Sequence, residues 1–149
     1  MKKNLVIMSA NILILLTSGA AQAAEPLAFQ GVMRDLGKHM QTVAGAIAHE
    51  DWKQVAKTAP LIAEHPQPPL TEKMRIMSFV GGNMGKFKTF DIQTHEAAHD
   101  MEQAAIAQDG MQVINSYQKV QTACLGCHQA FRAQFVAHFY GKQSIETSK

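Results

Sequence analysis

The apolar residues between Phe29 and Ile47 limit the folds open to this chain. Phe29, Met33, Leu36, Met40, Val43 and Ile47 recur at intervals of four, three, four, three and four. On a helix of 3.6 residues per turn, those intervals draw one stripe along one face. Such a helix persists only when its stripe is covered, and helices with matching seams cover it best. The chain supplies them. The first predicted helix runs from about Pro26 to His49, with Pro26 suited to a first helical turn. A second runs from about Asp51 to Glu64, with Trp52, Val55, Ala59 and Ile62 on one side. A third runs from about Lys86 to Gln108, with Phe87, Phe90, Thr94, Ala97, Met101 and Ala105 in line. "QDG" turns the chain into a fourth, from about Met111 to Ala137. There Val113, Tyr117, Val120, Cys124, Cys127, Phe131 and Phe135 point inward.

Between the second and third helices, "HPQPPL" sets three prolines in four positions, which no helix continues through. "TEKMRIMSFV" reads as a short helical piece, and "GGNMG" as another break. Pro66 to Gly85 is therefore expected to be a long connection, of the kind that tends to carry function in compact domains. Alternating β-branched runs and Asn-Gly hairpins are lacking. The expected fold is all-α, an antiparallel four-helix bundle.

The first residues set the compartment. "MKKN" is a short basic start, "LVIMSANILILLTSGA" an apolar core, and "AQA" at Ala21–Ala23 a small-x-small cleavage site. Residues 1–23 read as a secretory signal peptide, which points to the periplasm of a bacterial envelope. The 149 residues less these 23 leave 126, enough for one core: a bundle over 24–140 and a polar tail over 141–149. Lys2 and Lys3 leave with the leader, so 12 Lys+Arg face 12 Asp+Glu. That balance argues against nucleic acid or a charged membrane as the main partner. No second apolar run approaches the length of a membrane span.

The two cysteines, Cys124 and Cys127, stand three apart with His128 directly after. As a disulfide they would close a very small ring and stabilise little. On a helix all three side chains project from roughly one face. That arrangement suits covalent attachment of haem c: two thiols meet two vinyl groups, and the adjacent imidazole reaches the iron. A thioredoxin-like pair would want a helix N-terminus and a βαβ setting, whereas this pair lies deep in a helix. A zinc site would need two histidines, and the nearest, His138, has no partner three to five residues away. An electron carrier needs a second axial ligand, most often methionine. Met33 and Met40 both lie on the first stripe, two turns or about 11 Å apart, so only one can serve one iron. By position they are nearly equal candidates, while His39 and His49 lie off the stripe.

The chain resembles the class II c-type cytochromes, the cytochrome c-prime family. "CLGCHQAFR" is similar to their Cys-x-x-Cys-His followed by an aromatic and a basic residue, here Phe131 and Arg132. "FKTFDIQTHEAAHDMEQAAIAQDGMQVI" resembles their third helix and the turn after it, with Phe87 at a familiar aromatic position. "FQGVMRDLGKHMQTVAG" looks like their first helix. The resemblance implies one haem c on the last helix, with Cys124 and Cys127 as thioether anchors and His128 as proximal iron ligand. It implies Met33 as the distal ligand, which belongs to the low-spin branch, and Arg132 beside the haem. "EHPQPPLTEKMRIM" is similar to the proline-rich connection of that branch. One departure is Phe29, where the family often has an arginine near a haem propionate; Arg34, Lys38 and Arg75 are candidates to replace that charge. The implied function is periplasmic electron transfer with redox partner proteins, and a homodimer through the first two helices. The alternative is a five-coordinate relative that binds nitric oxide or carbon monoxide. The chain is not read as an enzyme, because a peroxidase needs a distal acid–base group and the stripe offers methionine, leucine and valine.

Overall fold

The computed structural model describes residues 27–141. The expected leader, residues 1–23, and the tail from 142 onward lie outside them. The described chain is helical, with no strand among the described residues. The helices are α1 (Ala28–Ala48), α2 (Trp52–Ala63), α3 (Leu70–Val80), α4 (Met84–Ile106), α5 (Gly110–Cys127) and α6 (Ala133–Tyr140). A short 3₁₀ turn, Gly81–Asn83, joins α3 to α4, and a π-helical turn, His128–Arg132, joins α5 to α6. No described helix is long and apolar enough to cross a membrane.

The two tight helix hairpins use the same device. Glu50 and Gln108 take positive φ, 55° and 59°, which reverses the chain. An aspartate follows each and caps the next helix. Asp51 accepts from the Gln54 N–H at 2.9 Å, and Asp109 from the Gln112 N–H at 3.0 Å. α1 packs on α2, α2 on α4 and α4 on α5, whereas α1 meets α5 only sparsely. The core between them is made by Val43, Val55, Ala59, Ile62, Ala98, Met101, Val113 and Val120. Alanines dominate the α4 face, so the helices approach closely there. The Trp52 ring lies on Gly110, where an added Cβ would stand 2.8 Å from it, and so closes the end of the bundle at the second hairpin.

Two expectations change. The connection from Pro66 to Gly85 is not irregular over its length: only residues 65–69 lack regular structure, and the expected helical piece is α3. Its buried side is Glu72, Ile76 and Val80, four apart. Ile76 and Val80 form a second apolar cluster with Leu27, Phe135 and Phe139 at one end of the bundle. The fourth helix is also not one regular piece ending at Ala137. It opens into a π turn after Cys127 and runs on to Tyr140. The inward residues explain the π turn. From Cys127 to Phe131, Phe135 and Phe139 every interval is four, longer than an α-helical turn, and a wider turn keeps them on one face.

Candidate functional site

Cys124 and Cys127 lie on the last turns of α5, half-buried and not bridged to each other. Three residues of α4 set the motif's position. The Phe90 ring covers Gly126, the Phe87 ring meets Phe131 edge-on with centroids 5.4 Å apart, and Thr94 lies beside Cys124. Gly126 is required by that approach, since an added Cβ would stand 2.6 Å from a Phe90 ring carbon. Gly126→Val is expected to lower stability by about 1–3 kcal/mol, because overpacking outweighs the helix propensity gained on leaving glycine. Chemical denaturation would read the loss as a shifted midpoint at unchanged slope.

Burial pushes both thiols up. Cys127 is raised to about 11, by burial first and then by the charges of Cys124 and Asp91. Burial raises Cys124 as well, against the opposing pull of the Thr94 hydroxyl. Neither is the low-pKa thiolate that a dithiol redox enzyme uses. His128 moves down, by partial desolvation and then by the nearby Arg132 cation, which favours the neutral imidazole with its lone pair. His128 opens the π turn and Arg132 closes it. Arg132 is exposed.

The sparse meeting of α1 and α5 leaves a groove of about 530 Å³ between them. Met40 of α1 borders it with Tyr117, Gln118, Gln121, Thr122, Cys124, Leu125 and His128. Its volume lies in the ordinary range for small-molecule and cofactor sites. The Cys124 thiol and the His128 imidazole border this space, and Cys127 lies one turn from Cys124 on the same helix, so the donor set fits a covalent haem.

The two methionines are placed differently. Met40 borders the groove and Met33 is not among the residues around it. Register says something further. α1 and the last helix run antiparallel, with Phe29 against Phe135, centroids 5.5 Å apart, and the Tyr117 hydroxyl 3.3 Å from the Met40 carbonyl. Met33, four residues on from Phe29, therefore comes within about a turn of His128. Met40 lies level with the stretch from Tyr117 to Cys124.

Phe29, which stands in place of the expected arginine, is a packing residue against Phe135. Of the three cations considered in its stead, Arg34 and Lys38 both lie against Asp35, at 3.8 and 3.0 Å. Arg75 sits over the Phe139 ring. Phe90 and Tyr117 were legible only as stripe residues; their contacts with Gly126 and the groove arise from packing between helices. No protein-family model matches the chain, and no curated protein matches its sequence.

Proposed function

We propose that this chain is a periplasmic mono-haem c-type cytochrome, a carrier of electrons through a covalently attached, His/Met-ligated haem iron. The observation that carries this reading is one shared space. Cys124 and His128 face the groove between α1 and α5, and Cys127 stands beside them on the same part of the helix. Cys124 and Cys127 are the thioether anchors and His128 is the proximal ligand. Met33 is the distal ligand, supported by its level opposite His128 and by the resemblance to class II cytochromes. When bound, the haem iron supplies a one-electron couple between its ferrous and ferric states.

The protein's part is to hold and shield that group. Phe90 and the Phe87–Phe131 pair pack the side of the motif facing α4 and fix the direction of its side chains. Partial desolvation and the nearby Arg132 cation lower the His128 pKa, which favours the neutral imidazole that binds iron. Arg132, exposed at the end of the π turn, would offer a cation to a haem carboxylate. A mature chain with balanced charge suits brief docking with redox partners rather than a tight complex.

The test is the protein produced with its leader in a host that matures c-type cytochromes. A haem stain should survive a denaturing gel, and it should vanish in Cys124→Ser/Cys127→Ser. Ferric and ferrous spectra should be low-spin with a methionine-to-iron band. An unstained wild-type band sinks the proposal. Fast, tight carbon monoxide binding by the ferrous wild type would replace electron transfer with the five-coordinate, gas-binding alternative.

A further inference from the structure

Away from the groove, the end of α2 and the middle of α4 bring Glu64, His95 and His99 together. One ligating atom of each lies within 4.8 Å of the others. His95 and His99 are four apart on a regular helix, so their rings leave the same face one turn apart. Their centroids are 4.6 Å apart.

The surrounding hydrogen bonds sort the ring nitrogens. His95 Nδ1 lies 3.1 Å from the Ala63 carbonyl oxygen. A carbonyl only accepts, so Nδ1 carries the proton and Nε2 keeps its lone pair. His99 Nδ1 lies 3.4 Å from a Glu102 carboxylate oxygen, and its Nε2 lies 3.0 Å from Glu64 Oε1. Metal-binding imidazoles regularly donate their second N–H to a carbonyl or carboxylate, which fixes the ring and aims the other nitrogen. Both histidines have such a partner here. The position between His99 Nε2 and the Glu64 carboxylate is one that a cation can take in place of a proton.

We infer that Glu64, His95 and His99 form a binding site for a first-row divalent transition ion, Zn²⁺ in the first instance. Two imidazoles and one carboxylate are a zinc donor set that leaves the remaining position to solvent. Ca²⁺ and Mg²⁺ prefer all-oxygen shells and are poor matches. The ion would pin the end of α2 to α4. Glu102 is a positioning residue that holds the His99 ring. The site shares no residue with the Cys124–His128 groove and stands whether or not a haem is bound there.

The experiment is calorimetric titration of untagged mature protein with Zn²⁺, with circular dichroism to confirm that every variant keeps its helix content. One ion per chain is expected, with a rise in melting temperature, and no binding of Mg²⁺. His95→Ala and His99→Ala should each weaken binding by about tenfold or more, and Glu102→Gln by about tenfold. Cys124→Ser/Cys127→Ser should leave the affinity unchanged. Undiminished Zn²⁺ binding in the His95→Ala/His99→Ala double variant overturns the site. So does a wild type that takes up no zinc, or loss of binding in the double serine variant.

Discussion

Glu72→Ala is expected to remove about 2–3 kcal/mol of stability, a large loss for a residue on a short connecting helix. Both carboxylate oxygens of Glu72 accept from the start of α1: Oε2 from the Ala28 N–H at 2.8 Å and Oε1 from the Phe29 N–H at 2.7 Å. A helix begins with backbone N–H groups that no earlier carbonyl can satisfy. α1 lacks a side-chain cap from its own Leu27. A carboxylate there also meets the positive end of the helix dipole. Glu72 is itself buried, so the alanine variant loses two charge-assisted bonds and leaves Phe29 without its acceptor. Glu72→Gln keeps one good acceptor and gives up the charge, so it should lose roughly half as much. Denaturant midpoints read both values, and hydrogen exchange should localise the loss to the first turn of α1. An alanine variant within about 0.5 kcal/mol of wild type would show that water caps that end equally well.

Glu72 also marks where the sequence stops being legible. The stripes of α1, α2, α4 and α5 are mostly apolar, and most of the residues assigned to them pack in the two apolar clusters of the structure, Met33, Phe90, Thr94 and Cys127 excepted. α3 is different. Its buried face is Glu72, Ile76 and Val80, so one of its three inward positions is charged and the hydrophobic pattern is broken there. The reason for that charge lies more than forty residues away along the chain. No local rule reaches that distance. The π turn had a local signal, in the run of fours from Cys127 to Phe139, but only Phe139, beyond the expected helix end, completes it. The motif was legible as Cys124, Cys127 and His128, since spacing alone puts them on one face. The groove that Cys124 and His128 border was not. It exists because α1 leans on α2 and leaves α5, a relation between helices rather than a property of any one of them.

That relation also bears on the distal side of the proposed haem. Met33→Ala is expected to turn the protein high-spin and open the ferrous iron to carbon monoxide, while Met40→Ala leaves it low-spin. The two residues are two turns apart, about 11 Å along the helix, so one iron can take only one of them. The iron of the proposed haem would lie where His128 holds it. Phe29 against Phe135 and Met40 against Tyr117 fix how α1 is registered on the last helix, and Met33 falls within a turn of the His128 level. Met40 falls toward Tyr117, where it borders the groove and packs against the core. With the proposed methionine ligation, carbon monoxide would bind only the small fraction of wild-type molecules whose methionine has let go. If that fraction is about 0.1–10%, removing the ligand raises the apparent affinity by roughly 10- to 1,000-fold. Met33→His should stay low-spin without the methionine-to-iron band, which separates loss of a ligand from damage to the fold. If Met40→Ala is the variant that turns high-spin, the groove rather than the helix register identifies the ligand, and α1 sits about two turns from where its end contacts place it.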